Sequence, residues 1–326
     1  MRRRDFLTVL GGATAWPAIA RAQQAAIPII GFLESGSRLA FADRLEAFQQ
    51  GLRKFGYTEG QNVVIEYRFA QGQYDQLPAM ATDLVQRQVA VLVATGSPNS
   101  AQAAKAATQT IPIVFANGGD PIGLGLVTSI SRPTGNVTGL TFYNSSLVPK
   151  RVELARELVP SAKLLGVLVN PNNPNTPSDT KAIQSAVQSV GLQALIVNAA
   201  SENDFETAFA AFAQRKADVI FVNNDAFFST RSNQIVAIGT RYAIPTIYYL
   251  RDFVVAGGLV SYGTNIVDIY GEAGVYTGRI LKGVKPSELP VLLPSKFEFV
   301  INLGTAKKLG LTMPTSILLR ADEVIE

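Results

Sequence analysis

The sequence predicts an α/β protein of two lobes, each a parallel, Rossmann-like sheet covered by helices. Three observations predict it. Short apolar, β-branched runs alternate with longer segments of helical apolar spacing, the pattern of βαβ units. Several of the runs are apolar at nearly every position, as strands are when helices cover both faces of a sheet. Two stretches also echo each other, VAVLVATGSPNSAQAAKAATQTIPIVFAN (89–117) and ADVIFVNNDAFFSTRSNQIVAIGTRYAIPTIYYL (217–250). Each runs strand, polar loop, helix, Ile-Pro, strand, with proline at a strand start where its missing N–H matters least.

The chain opens on a different pattern. Arg2, Arg3 and Arg4 precede an uncharged run from Phe6 to Ile19 that contains Gly11, Gly12 and Pro17, all poor helix formers. The run is shorter than the roughly 20 apolar residues that span a bilayer, and it leads to the small-x-small sequence Ala20-Arg21-Ala22. This is the arrangement of an export signal, and Arg3-Arg4-Asp5-Phe6-Leu7 resembles the twin-arginine motif. The alternative is an uncleaved signal anchor. The expectation is a signal over 1–22, cleaved near Ala22, and a freely diffusing periplasmic monomer.

Strands are then expected at 27–33, 62–69, 89–95, 111–116 and 136–141, and at 164–170, 192–198, 218–223, 245–250 and 258–262. Helices are expected at 39–55, 76–87, 147–158, 179–190 and 266–282. The chain should change lobes within 142–163. The expected division is a first lobe over 23–145, a second over 146–265, and a C-terminal segment, 266–326, part of which returns to the first lobe.

Composition removes several function classes. The formal charge is +4, but residues 1–22 hold four arginines and one aspartate, so the remainder carries 25 basic and 24 acidic residues. No Lys/Arg run follows, which argues against nucleic-acid binding. With no histidine and no cysteine, a His-based triad, a His/Cys zinc site, a disulfide and a cysteine-linked lipid anchor are excluded. No later segment reaches 18 apolar residues, so no membrane insertion is expected. GGDPIGLG (118–125) lacks the lysine of a phosphate loop and the dinucleotide glycine spacing, and no G-x-S-x-G elbow occurs. No cofactor is expected.

In open parallel sheets ligands bind beyond the carboxyl ends of the strands. Those ends carry Glu34-Ser35-Gly36-Ser37, Thr95-Gly96-Ser97-Pro98, Asn117-Gly118-Gly119-Asp120, Asn170-Pro171-Asn172-Asn173, Asn223-Asn224-Asp225 and Tyr262-Gly263. They are rich in hydroxyls and amides and poor in charge. Ser97-Pro98 suits a helix start, whose free N–H groups seat a carboxylate, or it is a cap and nothing more. The asparagines are also favoured turn residues. Asp120 and Asp225 either hold a ligand ammonium or cap turns. Of the aromatics nearby (Tyr143, Phe227, Phe228, Tyr248, Tyr249, Tyr262), one or two are expected to line a cleft.

The segments EAFQQGLRKFGYTEGQNVVIEYRFAQG (46–72), ATQTIPIVFANGGDPIGLGLVTSISRPTGNVTGLT (107–141), KRVELARELVP (150–160), GRILKGVKPSELPV (278–291) and KFEFVINLGTAKKLGLTMP (296–314) together resemble the ABC-transporter substrate-binding proteins that include tryptophan- and tyrosine-type receptors. The resemblance implies a type 1 periplasmic-binding fold with two lobes, a hinge and a cleft, no catalysis, and an inner-membrane permease with its ATPase as partner. It also implies ligand loops at Ser35–Ser37, Thr95–Ser97, Asn117–Asp120 and Asn223–Asp225. Some relatives carry an aspartate where this chain has Gly263-Thr264-Asn265-Ile266, and an amide there offers no charge to an ammonium.

The expected ligand is a small organic carboxylate or amino acid with an aromatic or branched apolar part. Its carboxylate would lie at Ser97 and Ser35–Ser37, its ammonium at Asp225 or Asp120, and its apolar part on Tyr262 or Phe227. A sensory binding module without transport and a secreted enzyme are the alternatives. A sugar-regulator-like repressor would need a DNA-binding segment where the export signal lies.

Overall fold

The apolar runs of the sequence form strands, and the strands collect into two separate sheets. The computed structural model describes residues 27–142 and 144–326; the expected export signal and Tyr143 lie outside the described residues. The first half runs β1 (Ile29–Glu34), α1 (Ala42–Arg53), β2 (Val64–Phe69), α2 (Leu77–Gln86), β3 (Val91–Gly96), α3 (Pro98–Ala107), β4 (Ile113–Asn117) and β5 (Val137–Thr141). These strands form one parallel sheet in the order β2-β1-β3-β4-β5.

Then follow α4 (Val148–Leu158), β6 (Leu164–Val169), α5 (Thr176–Ser189), β7 (Gln193–Asn198), α6 (Glu202–Gln214), β8 (Val219–Val222), α7 (Ala226–Thr230) and α8 (Ser232–Tyr242). The remainder is β9 (Thr246–Tyr248), α9 (Arg251–Val255), β10 (Val260–Thr264), α10 (Ile266–Leu281), β11 (Phe297–Asn302), α11 (Leu303–Lys308), α12 (Thr315–Leu318) and β12 (Glu323–Ile325). The second sheet has the order β12-β11-β10-β9-β8-β6-β7, and within it only the β10–β11 pairing is antiparallel.

The near-continuous apolarity of the strands reflects cover on both faces. In the first sheet Ile30, Phe32, Val91 and Val93 pack towards α1 and α10, whereas Leu33, Leu92, Ala94 and Phe115 pack towards α2 and α3. In the second sheet Leu165, Val167 and Phe221 pack with α4 and α5, and Leu168, Ile220 and Val222 pack with α6 and α8. Strands β11 and β12 have no counterpart in the sequence-based assignment. The first has only three consecutive buried apolar residues, Phe299–Ile301, after an exposed Phe297 and a charged Glu298, and the second is a three-residue edge strand, so neither presents the long buried apolar run that marks the others.

Among the described residues the chain passes between the lobes three times, after β5, between β10 and α10, and through 292–296. These crossings are tied together: Thr141 N–H donates to the Leu292 carbonyl at 3.0 Å, Thr264 Oγ1 to the Phe142 carbonyl at 2.9 Å, and Asn265 N–H to the Lys296 carbonyl at 3.1 Å. Between the second and third crossings α10 packs on α1 with the two backbones almost in contact. A methyl group on Gly274 would lie 2.1 Å from the Phe48 carbonyl oxygen, and one on Gly51 would lie 2.1 Å from the Gly271 carbonyl oxygen. Neither obstacle is a movable side chain. Gly274→Val is therefore expected to force the helices apart and lower the unfolding free energy by about 3 kcal/mol, measured by urea denaturation.

Candidate functional site

The carboxyl ends of both sheets face each other across the gap spanned by the three crossings. On the first lobe a buried glutamate organises the loops. Glu34 Oε1 accepts from Gly36 N–H at 2.8 Å and Ser35 Oγ at 3.3 Å; Oε2 accepts from Thr95 Oγ1 at 2.6 Å and from the Tyr270 hydroxyl of α10 at 2.7 Å. Gly96 has φ +90°, and a methyl group there would lie 2.0 Å from Glu34 Oε1. Only glycine fits both constraints. The donors of Ser35, Gly36 and Thr95 are thus committed inside the lobe, and Ser37 Oγ accepts from Ala40 N–H at 3.3 Å.

Ser97 and Asn117 differ. Ser97 is the N-cap of α3 in extended geometry, but its side chain makes no capping bond, and its Oγ is buried without a hydrogen-bond partner. Asn117 uses Oδ1 to accept from Gly119 N–H at 3.0 Å, which fixes the amide orientation and leaves Nδ2 buried and unpaired. The two positions are adjacent, since Gly96 and Asn117 are register partners.

The opposite wall is built by α5 and the ends of β6 and β8. Asn175 Nδ2 is buried and unpaired, and this side chain abuts Gly119 of the first lobe: a methyl on Gly119 would lie 2.7 Å from Asn175 Oδ1. One turn on, Asp179 is buried; its carboxylate accepts from Asn223 Nδ2 at 3.0 Å and from the Ser145 hydroxyl. Asn223 Oδ1 has no partner. Burial pushes the Asp179 carboxyl up, opposed by those two bonds and by Arg151. Arg151 is itself fully buried, donates from Nε to the Tyr262 carbonyl at 2.6 Å, and is drawn down by burial to about 10.

Asp225 is bonded from both lobes. It accepts from Asn170 Nδ2 at 3.0 Å, Asn173 Nδ2 at 2.8 Å, Phe227 N–H at 2.9 Å and, across the gap, the Tyr74 hydroxyl at 2.9 Å. Three of these donors fall on Oδ1 and one, Asn173, on Oδ2. Burial still raises its pKa. Other contacts between lobes are Asn99 Nδ2 to the Asn172 carbonyl at 3.2 Å, Arg231 to the Gln71 carbonyl at 3.1 Å, and an ion pair of Arg44 with Asp252. The lobes are closed on each other. A cavity of about 660 Å³ at the edge of the gap is lined by Tyr74, Asp75 and Asn99 from one side and by Asn172, Phe227 and Arg231 from the other.

Of the residues singled out in the sequence, Ser97, Asn117 and Asn223 present unpaired buried groups between the lobes, while Ser35, Gly36, Thr95 and Gly96 shape the first wall around Glu34. Two expectations are corrected, those on Asp120 and Tyr262. Asp120 is exposed and accepts from Ile122 N–H at 3.0 Å, a turn acceptor. Asp225 is buried and holds four donors of the protein, three on Oδ1 and one on Oδ2. The Tyr262 ring stacks near Phe297 and Phe299 beside Lys150 and Arg320, on the face of the sheet that packs with α4, and only its carbonyl reaches Arg151. Phe228, Tyr248 and Tyr249 are core, whereas Phe227 borders the cavity. Asn265, at the departure from some relatives, caps α10 by accepting from Asp268 N–H at 2.9 Å in a crossing segment. Sequence reasoning missed Asn175 and Asp179, which lie in a helix that begins before its expected start at 179. The signal that could have found them is Thr176-Pro177, a helix-start dipeptide like Ser97-Pro98.

Residues 26–325 match the protein family described as ABC transporter substrate binding protein. The tyrosine-binding protein of Clostridioides difficile is 27% identical over 266 residues, covering 82% of this chain and 76% of its own length. The crystal structure of a conserved domain protein from Vibrio cholerae superposes with a TM-score of 0.86 at 30% identity, covering 91% of this chain and 99% of that chain. The ABC domain in complex with L-Trp from Streptococcus pneumoniae gives a TM-score of 0.83 at 28% identity, with 91% and 99% covered.

Proposed function

We propose that this chain, which belongs to the family of ABC transporter substrate-binding proteins, closes its lobes over an amino acid with an aromatic side chain and presents it to a membrane permease outside the cytoplasm. The single observation that carries the reading is the set of buried, unpaired polar atoms contributed by both lobes at the strand ends. Such atoms are rare in native interiors and call for a partner. Their chemistry sorts by charge. The Ser97 hydroxyl, Asn117 Nδ2, Asn175 Nδ2 and the positive end of α3 are donors and suit a carboxylate. Asn223 Oδ1 and the Asp179 carboxylate are acceptors and suit an ammonium. A zwitterion satisfies both groups, whereas a neutral sugar brings no cation to the acceptor side and no anion to the donor side.

The relatives that bind tyrosine and L-Trp support an aromatic side chain. The family and the matched proteins are substrate-binding proteins, not enzymes. Periplasmic location after cleavage near Ala22, action as a monomer, and a permease with its ATPase as partner complete the reading.

Calorimetry with L-tryptophan, L-tyrosine, indole-3-propionate and tryptamine tests it. The amino acids are expected to bind best, because each analogue leaves either the donor set or the acceptor set of the site without its ligand partner. Tighter binding of a neutral sugar would refute the proposal. Ser97→Ala is expected to weaken the amino acid and indole-3-propionate alike, by about tenfold or more, since a hydrogen bond to a charged group contributes about 1.5–3 kcal/mol.

A further inference from the structure

The ion pair between the lobes has a feature that the other contacts across the gap lack. Arg44 lies on α1 of the first lobe and is only 3% exposed; Asp252 lies on α9 of the second lobe and is 36% exposed. The Arg44 guanidinium sits 4.1 Å above the Phe41 ring, and Phe41 in turn abuts Gly36 of the first ligand loop. The arginine is therefore held in place by its own lobe. Asp252 reaches it only because the lobes are closed, and separation of the lobes breaks the pair.

We infer that Arg44 and Asp252 form a closing latch that sets how tightly the protein holds any ligand without touching the ligand. Closing brings the carboxylate to a fixed, largely buried cation, and such a pair is costly to break because one charge loses its partner in a poorly solvated place. The latch adds free energy to the closed state alone. Apparent affinity equals intrinsic affinity reduced by the fraction of closed chains. The pair therefore scales the affinity of every ligand by the same factor, whereas Ser97 and Asp179 discriminate among ligands. Asp252 and Arg44 are positioning residues in this sense. The inference rests on the proposed role as a binding protein that closes over a ligand.

The test separates the latch from the ligand reading. The chain contains no cysteine, so Leu39→Cys with Val255→Cys gives a clean pair. These residues are 90% and 56% exposed, belong to different lobes and line one groove next to Asp252. In ligand-free protein, a short bis-maleimide links the pair only in closed chains. Asp252→Asn is expected to slow linking severalfold and to raise the dissociation constants of L-tryptophan and L-tyrosine by the same factor, about tenfold. Asp252→Glu is expected to restore most of both, and the urea midpoint is expected to move little, which separates a latch from a general packing role. Unchanged linking together with unchanged affinity would overturn the latch, as would a change confined to one ligand. If wild-type protein binds neither amino acid, the ligand reading fails, and linking alone decides the latch.

Discussion

Asp179→Asn is expected to weaken binding of an aromatic amino acid by about ten- to a hundredfold and to leave indole-3-propionate within about twofold. The range is the 1.5–3 kcal/mol assigned to a hydrogen bond made by a charged group, at 1.4 kcal/mol per factor of ten. The substitution keeps the shape and an acceptor for Asn223 but removes the negative charge between the lobes. A pH dependence accompanies it. Burial raises the Asp179 carboxyl above its ordinary range, and an ammonium prefers the ionised form. Affinity for the amino acid should therefore fall on acidification, starting above the pH at which an exposed carboxylate titrates. In Asp179→Asn that fall should vanish. Calorimetry of both proteins as a function of pH checks both outcomes, and an equal loss for indole-3-propionate would show that Asp179 acts on the fold and not on the ammonium.

Asp225→Ala is expected to cost more in stability than any other single change in the gap, about 4 kcal/mol of unfolding free energy by urea denaturation. It removes the carboxylate acceptor of Asn170, Asn173, the Phe227 N–H and the Tyr74 hydroxyl at once; Asn173 keeps the Asn224 carbonyl and the Phe227 N–H keeps the Tyr74 oxygen. A buried donor left unpaired costs about 1–3 kcal/mol, and local relaxation recovers part of the sum. Tyr74→Phe removes only the contact with the other lobe and is expected to cost about 1 kcal/mol. A wild-type urea midpoint in Asp225→Ala would show that the four donors find other partners.

The two aspartates show where sequence reading succeeds and where it stops. Asp225 stands at a strand end among asparagines, and position along the chain marks it as part of the site. What position does not reveal is that Asn170 and Asn173, more than fifty residues earlier, and Tyr74 of the other lobe all donate to it. Asp179 follows no strand and lies within a helix; the one local mark near it is Thr176-Pro177, which starts that helix ahead of 179. Tyr262 misled for a related reason. Alternate residues of a strand face opposite sides, and at its position the side chain points to the α4 face, against Phe297 and Phe299.

The sequence by itself determined the α/β class, the two lobes, most of the parallel strands and the strand-end loops where binding groups gather. These follow from period, apolarity and turn chemistry, which are local and survive in a single chain read end to end. Tertiary structure alone decided the strands β11 and β12, the packing of α10 against α1 through bare glycine backbones, and the roles of individual polar groups. Ser97 and Ser35 look equivalent in the sequence. In the fold one hydroxyl is spent on Glu34 and the other is left unpaired, because a hydrogen bond belongs to a pair and its partner can lie anywhere in the chain.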